Sequence, residues 1–351
     1  MMPFVYQALP SRVVFRPGAL DALAVEVARI GSRALVLCTP EQRDVAEDAA
    51  RRLGDRAVEI YDRAVMHVPI ETAREAREKA SRVGADCCVA VGGGSTVGLG
   101  KAIALEFGLP IIAVPTTYAG SEMTPIWGVT EGGQKRTGRD VRVLPCTVVY
   151  DPTLTLTLPP GLSATSGMNA IAHCVEALYA VDGNPIASLM AEEGIGALAR
   201  SLPRIVGKPK DLEARSEALY AAWLGGAVLG AVGMALHHKL CHALGGSFNL
   251  PHAETHTIVL PHAARYNESQ APEAMARVAR ALGSGGDAPG ALWELARSLG
   301  APLGLEAIGM KRADLDRAAE IATASPYPNP RPVERDAIRA LLEDAFVGRR
   351  P

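Results

Sequence analysis

Cys87-Cys88-Val89-Ala90-Val91-Gly92-Gly93-Gly94-Ser95-Thr96 joins an apolar run to a glycine-rich turn. The run 87–91 predicts a buried strand, and residues 97–105 after the turn predict a helix. A strand that enters a helix through glycines can form an anion site, because the backbone N–H groups face outward with no Cβ in the way. The turn is neither a Walker A loop nor a Gly-x-Gly-x-x-Gly fingerprint, so on its own it fits a tight connection that binds nothing equally well.

A second turn follows the next apolar run. Residues 111–114 predict another strand, which continues into Pro115-Thr116-Thr117-Tyr118-Ala119-Gly120-Ser121-Glu122, a segment whose hydroxyl groups can contact a ligand. Two such turns at the ends of parallel strands predict a nucleotide crevice.

Composition and charge limit the classes of partner. The chain has 351 residues, of which 48% are hydrophobic, so it can bury a sizeable core and is long enough for two domains. A formal net charge of −2 and 5% aromatic residues argue against nucleic acid as a partner. Scattered cysteines without a CxxC pair fit a reducing compartment. Residues 1–12 lack a secretory signal pattern, and the uncharged stretch 218–236 is too rich in Ala and Gly to favour a membrane span. We therefore expect a cytoplasmic protein that contacts no membrane.

Strand and helix patterns alternate in the first part of the chain. Strands are expected at residues 33–38, 57–61, 87–91, 111–114 and 148–150, and helices at 41–53 and 70–83. This order is typical of a parallel sheet covered by helices. We predict an α/β dinucleotide-binding domain with a parallel sheet at residues 1–155.

The composition changes after Asp151, where Pro152 and Pro159-Pro160 interrupt the chain. Beyond them the sequence has helical periodicity and no convincing strand. Helices are expected at residues 164–179, 186–199, 212–243, 273–281, 291–299, 312–322 and 334–346. We predict an all-α C-terminal domain at residues 156–351.

Seven of the eight histidines lie between residues 173 and 262. Asn169 and His173 are four residues apart, as are His238 and His242, so each pair shares one face of a helix. His252 follows Gly245-Gly246-Ser247, which we expect to form a turn. Imidazoles that converge from separate helices are typical of metal and catalytic sites.

We predict that His173, His238, His242 and His252 share one functional site. The other histidines are expected to be ordinary surface or packing residues: His67, His237, His256 and His262. Three neutral histidines can hold zinc, but Asn169 beside them brings no negative charge and its amide oxygen is a weaker ligand than a carboxylate. The residues alone therefore argue only slightly against a metal.

The chain resembles the superfamily of iron-containing alcohol dehydrogenases and dehydroquinate synthases over nearly its whole length. The matching segments are Gly92-Gly93-Gly94-Ser95, Pro115-Thr116-Thr117, Gly167-Met168-Asn169-Ala170-Ile171-Ala172-His173, His238-Lys239-Leu240-Cys241-His242-Ala243-Leu244-Gly245-Gly246, Pro251-His252 and Leu260-Pro261-His262. Residues 116–126, 135–139 and 167–173 resemble the maleylacetate reductase branch in particular. The resemblance implies a dehydroquinate synthase-like fold.

The same resemblance bears on the metal. In metal-dependent members an Asp stands where this chain has Asn169, and the other ligands correspond to His173, His238 and His252. These three would hold a metal if one bound. The maleylacetate reductases are regarded as not needing the metal, which agrees with Asn169, so we expect no metal requirement.

The reaction implied by the resemblance is the reduction of the carbon–carbon double bond of maleylacetate, or of substituted maleylacetates, to 3-oxoadipate in the breakdown of aromatic compounds, with NADH or NADPH. Hydride addition to a double bond conjugated with a ketone collects charge on an enolate oxygen, which hydrogen-bond donors can stabilise. A histidine can both donate to that oxygen and supply a proton to carbon. We expect His242 and His252 in these roles, with His173 and His238 in support.

The substrate is a small dicarboxylate, so donor and cationic groups should hold it. Candidates are Asn169, Lys239, Tyr327 and Arg331, although a surface or packing role fits the last three equally well. For the cofactor, the resemblance assigns Gly93, Gly94 and Ser95 to the pyrophosphate and Thr116 and Thr117 to the nicotinamide side. Lys135 is a further candidate, and Thr39 stands where NAD-preferring relatives carry a ribose-binding Asp.

Three alternatives remain open at this point. The first is a metal-dependent NAD(P) alcohol dehydrogenase of the same superfamily. The second is a dehydroquinate synthase-like lyase, which needs a cluster of Lys and Arg that is not evident near the histidines. The third is a regulatory nucleotide-binding protein. Relatives are commonly dimers, so a homodimer is expected.

Overall fold

The computed structural model describes residues 4, 6–9, 11–132 and 134–351, so part of the N-terminal stretch considered for a signal lies outside the described residues. The chain divides into two compact units, Ala8–Leu158 and Pro159–Pro351, and the described residues before Ala8 group with the second. The predicted domain boundary falls three residues before this division.

The first unit is built on a parallel sheet. Its strands, and those of a separate hairpin, are β1 (Arg12–Phe15), β2 (Ala34–Leu37), β3 (Ala57–Tyr61), β4 (Cys87–Gly92), β5 (Ile111–Pro115), β6 (Ile126–Glu131), β7 (Gln134–Arg139) and β8 (Thr147–Tyr150). The sheet has the order β1-β8-β5-β4-β2-β3, with parallel pairing throughout. The predicted parallel sheet is confirmed.

Helices cover both faces of this sheet. They are α1 (Leu23–Ala28), α2 (Arg43–Leu53), α3 (Ile70–Arg82) and α4 (Gly94–Phe107). On β2, Val36 belongs to the core that contains residues of α1 and α2, whereas Leu35 and Leu37 belong to the core that contains residues of α3 and α4. Successive side chains of a strand point to opposite faces, so a strand buried on both sides is apolar at every position.

Three strands were not predicted. β1 is short, with Arg12 exposed and its other three residues half-buried, and β6 and β7 form an antiparallel hairpin outside the main sheet. The sequence of β7, Gln134-Lys135-Arg136-Thr137-Gly138-Arg139, carries three cations and has no apolar alternation. The hairpin is held partly by Trp127, whose ring lies so close to Gly138 that a Cβ there would approach it to 2.6 Å.

The second unit contains no strand among its described residues. Its helices are α5 (Pro160–Leu178), α6 (Pro185–Gly207), α7 (Leu212–Ala231), α8 (Leu236–Phe248), α9 (His252–Asn267), α10 (Pro272–Ala281), α11 (Ala288–Ser298), α12 (Leu315–Thr323) and α13 (Arg335–Val347). The predicted α/β region followed by an all-helical region is confirmed.

Two details of the helical prediction were wrong. The single helix expected at residues 212–243 is two helices, α7 and α8, which meet at an angle of 97°. The break occurs where carboxylates accept N–H groups that would otherwise serve the helix: Asp182 accepts from Gly233, and Glu176 accepts from Ala235. The turn expected at residues 245–247 lies inside α8, which ends instead at Asn249, a residue in the left-handed conformation with φ of 53°.

No single described helix is long and apolar enough to cross a membrane. The bent pair α7 and α8 meets the length and composition criteria only when its two members are taken together.

Candidate functional site

The two turns predicted to hold the cofactor lie side by side in the first unit. Gly92 at the end of β4 is in register with Pro115 at the end of β5, and the N–H of Thr116 donates to the carbonyl of Gly92 at 3.2 Å. Both strands run in the same direction, so their turns meet at the carboxyl edge of the sheet. Ligands of open α/β sheets bind at this edge.

The glycine-rich turn requires its glycines. Gly92 has a φ of 154°, and a Cβ there would lie 2.4 Å from the Thr96 hydroxyl oxygen. A Cβ on Gly93 would lie 3.0 Å from the hydroxyl oxygen of Thr117. Helix α4 begins at Gly94, and no side chain caps its N-terminus. Free amides at the start of a helix, next to an exposed Gly94, give a site that can receive a diphosphate.

The strand order reverses beside this turn. β2 has β3 on one side and β4 on the other, so Thr39, which follows β2, lies at the switch point of the sheet. Gln42 was not predicted as part of this site, and its amide nitrogen donates to the Thr116 hydroxyl at 2.7 Å. This contact links the turn after β2 to the turn after β5.

Charged side chains surround Thr39. Its hydroxyl hydrogen-bonds the carboxylate of Glu41, and the pKa of Glu41 is lowered, first by its own backbone N–H and then by this hydroxyl. Arg43, which could meet a phosphate, is paired with Asp62 and with Glu47, the latter at 2.9 Å. A phosphate at this corner would therefore meet carboxylates as well as a cation.

The segment after β5 is held by a buried lysine that sequence reasoning also missed. Lys101 on α4 is 1% exposed. Its Nζ donates to the carbonyls of Ser121 at 2.6 Å, Thr124 at 2.8 Å and Ile126 at 2.8 Å. These three contacts fix the path of residues 121–126 beside the two turns predicted to hold the cofactor. Lys135, by contrast, lies on the hairpin strand β7 opposite Thr130.

In the second unit, histidines from three helices form one cluster. His173 comes from α5, His238 and His242 from α8, and His252 from α9. The ring centroids of His173 and His238 are 5.2 Å apart, and those of His238 and His242 are 6.2 Å apart. His252 contacts the cluster through His256. The ring centroids of His252 and His256 are 4.3 Å apart, and those of His256 and His238 are 4.9 Å apart.

Two histidines that were expected to be ordinary lie inside this cluster. His237 and His256 are fully buried, and a hydrogen bond of 3.0 Å joins the Nε2 of His237 to the Nδ1 of His256. Burial lowers the pKa of both rings and of His173 well below the usual value, so these three are neutral at pH 7. His242 and His252 are exposed, which makes them the members that a solute can reach.

Glu176 is the residue of this site that sequence reasoning missed. It is fully buried on α5, and one carboxylate oxygen lies 2.6 Å from the Nδ1 of His238. The spacing from His173 to Glu176 is three residues, so both lie on the same side of α5. A carboxylate three residues after a candidate histidine was the available signal.

The donor set fits a divalent metal poorly. Among the residues that the structure describes, the ligand atoms that gather within 4.8 Å of one another belong to His237, Cys241 and His256, not to the three histidines assigned to a metal. Burial raises the pKa of the Cys241 thiol well above its usual value, which disfavours the thiolate that a metal needs. Asn169 is buried with no partner for its Oδ1, but it supplies no charge.

The predicted substrate-binding residues have different surroundings. Tyr327 has a buried hydroxyl without a hydrogen-bond partner, and the Lys239 ammonium lies 5.7 Å from its ring centroid. Arg331 stacks on the ring of Tyr266 at 4.2 Å, which is a packing contact. Asn329 fixes the loop between Tyr327 and Arg331, because its Oδ1 accepts from the N–H of Leu236 and its amide donates to the Arg331 carbonyl.

Comparisons with known proteins agree with this architecture. Residues 10–152 match the family described as iron-containing alcohol dehydrogenase, and residues 163–346 match its C-terminal region. The chain therefore belongs to the iron-containing alcohol dehydrogenase family, and it is an oxidoreductase.

Within that family the full-length relatives are more specific. A maleylacetate reductase of Burkholderia cepacia is 62% identical over 100% of both chains, and one of Sphingobium indicum is 58% identical over 100% of this chain and 99% of the relative. The crystal structure of maleylacetate reductase from Agrobacterium tumefaciens superposes with a TM-score of 0.96 at 55% identity, with full coverage of both chains. The resemblance to the maleylacetate reductase branch is confirmed.

Proposed function

We propose that this chain reduces the carbon–carbon double bond of maleylacetate, and of substituted maleylacetates, to give 3-oxoadipate in the degradation of aromatic compounds. The full-length relatives support the activity. One observation supports the assignment of the site: the exposed imidazoles of His242 and His252 belong to the same cluster as a buried group of neutral histidines. We also propose that the protein is cytoplasmic and forms a homodimer. Light scattering of the purified protein tests the oligomeric state.

NADH or NADPH, when bound, supplies the hydride. In the first unit we assign its pyrophosphate to the backbone of Gly93 and Gly94 and to Ser95, at the uncapped start of α4. We assign Thr117 to the nicotinamide side. The Thr116 hydroxyl is already bonded to Gln42, so we assign Thr116 chiefly to the shape of the turn.

The histidines handle the charge and the proton. Addition of hydride to one carbon of the double bond sends the electron pair to the ketone oxygen and forms an enolate. We assign His242 and His252 to donate hydrogen bonds to that oxygen and to return a proton to the neighbouring carbon. His173 and His238, both buried, hold the shape of the cluster behind them.

Two groups are suited to the substrate carboxylates. The Lys239 ammonium brings positive charge, and the Tyr327 hydroxyl is buried and has no other partner. A buried donor without an acceptor is costly, so a substrate oxygen that accepts its hydrogen bond is favoured. Asn169 offers a buried amide to the same substrate, and Arg331 is assigned mainly to packing on Tyr266.

We further propose that the reaction needs no metal. The support is chemical: the ligand nitrogens assigned to a metal are not gathered, and residue 169 is an amide. Donors on His242 and His252 take the place of a Lewis acid at the enolate oxygen.

The decisive experiment follows NADH oxidation by the absorbance of the cofactor, with freshly prepared maleylacetate. We expect turnover that survives prolonged treatment with a chelator, and elemental analysis should find well under one metal ion per chain. No turnover in either condition would exclude the activity. Turnover that is lost in chelator and restored by Zn²⁺ or Fe²⁺ would exclude only the metal-free route.

A further inference from the structure

We propose that Glu176 is a positioning residue that fixes the ring and the tautomer of His238, and that it affects the reduction through this histidine. The inference rests on the proposed function of the histidine cluster. It concerns a side chain that touches neither the substrate nor the cofactor in that proposal.

The Glu176 carboxylate accepts hydrogen bonds from the start of α8 and, at 3.4 Å, from the Tyr179 hydroxyl. One oxygen accepts the N–H of Ala235 at 3.0 Å and faces the Nδ1 of His238 at 2.6 Å. The other accepts the N–H of His237 at 2.8 Å. Helix α8 has no capping side chain of its own, so Glu176 from α5 serves as its cap.

These contacts determine which nitrogen of His238 carries the proton. Both carboxylate oxygens already accept backbone N–H groups, so the short contact to Nδ1 is one in which the imidazole donates. When the ring carries a single proton, that proton lies on Nδ1 and Nε2 keeps its lone pair; this Nε2 is buried without another partner. A ring oriented by a carboxylate on one nitrogen presents the other nitrogen in a fixed direction.

The same carboxylate aligns two helices of the cluster. His173 and Glu176 lie three residues apart on α5, and Glu176 holds the first turn of α8, which carries His238. Glu176 therefore joins the helix that carries His173 to the helix that carries His238, and the two rings lie 5.2 Å apart. An amide at this position would place its NH₂ group against a backbone or ring N–H.

A double-mutant cycle tests the proposal. Glu176→Gln should lower kcat roughly 10–100-fold, with the KM for NADH unchanged within about twofold, because the cofactor contacts are on the first unit. In a His238→Ala background, the same Glu176→Gln change should alter kcat by less than about threefold. Glu176→Asp keeps the carboxylate and should retain more activity than Glu176→Gln.

The control is Glu26→Gln, which removes a carboxylate that is 3% exposed and bonded to Arg12. This substitution should leave kcat unchanged in both backgrounds.

A purely structural role predicts another pattern. If Glu176→Gln lowers kcat by the same factor with and without His238, the two residues act independently and the proposal is wrong. If Glu176→Gln does not fold, Glu176→Asp carries the cycle. In addition, ¹⁵N spectra of histidine-labelled wild type should contain a protonated Nδ1 and an unprotonated Nε2 that vanish together in His238→Ala, and the opposite tautomer would refute the proposal. The proposed function fails separately, if the wild type does not reduce maleylacetate at all.

Discussion

At the scale of single residues, we expect Thr39 to be the position that decides between the two cofactors. An Asp there would bond the ribose hydroxyls and repel a 2′-phosphate, and Thr39 does not repel it. The neighbouring Glu41 carboxylate would repel a 2′-phosphate, and the pairing of Arg43 with Asp62 makes this cation less available to bind one. Both effects oppose the use of NADPH. We expect both cofactors to be used, with kcat/KM values within about two orders of magnitude of each other.

Substitutions at Thr39 and Glu41 separate the effects of these two residues on cofactor choice. Thr39→Asp should depress the use of NADPH much more than that of NADH, and Glu41→Gln should raise the use of NADPH. Steady-state kinetics with both cofactors on each variant provides the measurement. Wild type that already rejects NADPH as strongly as Thr39→Asp would show that Thr39 does not select the cofactor.

The exposed histidines belong to the same scale. His242→Ala and His252→Ala should each lower kcat roughly 10²–10⁴-fold, because each removes a donor aimed at the developing enolate or the proton for carbon. The affinity for NADH, measured by fluorescence titration, should stay nearly constant. His67→Ala, on a loop of the first unit, is the matched control and should keep its kcat. Near-normal kcat in both cluster variants would remove these two residues from the mechanism.

At the scale of the secondary-structure elements, helix α4 has two duties. We propose that its N-terminus binds the diphosphate, and Lys101 in its middle holds residues 121–126 through three carbonyls. Lys101→Met would leave these buried carbonyls without their donor. We expect the free energy of unfolding of the first unit to fall by about 2–4 kcal/mol.

Denaturant titration followed by circular dichroism measures this loss. Lys79→Met, which removes a partly exposed pair with Glu59 at 2.9 Å, should change stability by about 1 kcal/mol or less. Equal effects of the two substitutions would mean that the Lys101 contacts contribute little to stability.

The elements also show what sequence patterns can predict. Strands such as β2 and β4 were predictable because a parallel strand that is buried on both faces is apolar at every position. The break between α7 and α8 was not, since it depends on the carboxylates of Asp182 and Glu176, which come from a distant part of the chain. Strand β7 was missed because an exposed hairpin with three cations has no periodic signal.

The candidate site also contains residues that were predictable from the sequence and residues that were not. The turn at Gly92 was predictable from local sequence, because its backbone conformation demands glycine. The membership of His237 and His256 in the cluster was not, since α9 begins only at His252 and its packing against α8 determines which rings meet. The spacing from His173 to Glu176 was a local signal, but the contact of Glu176 with His238, about sixty residues later, leaves no pattern in a single sequence.

At the scale of the whole molecule, burial of neutral imidazoles ties stability to pH. Burial lowers the pKa of His262 to about 4 and holds the pKa of His173, His237 and His256 well below 6.5. In the unfolded chain these rings take up protons as the pH falls below about 6.5, whereas the folded protein keeps them neutral. The unfolded state then binds more protons, so acid favours it.

We therefore expect the contribution of these histidines to the free energy of unfolding to be constant near pH 7 to 8 and to fall below pH 6.5. The slope approaches about 1.4 kcal/mol per pH unit for each such histidine. Urea titrations followed by circular dichroism at pH 7.5, 6.5, 5.5 and 5.0 measure it. His262→Gln removes one titrating ring and should reduce the slope by one such contribution, while exposed Arg→Gln controls such as Arg349→Gln leave the slope unchanged. A stability that stays level from pH 7.5 to pH 5.0 would mean that the buried rings accept protons without cost, and that water reaches the histidine cluster in the folded protein.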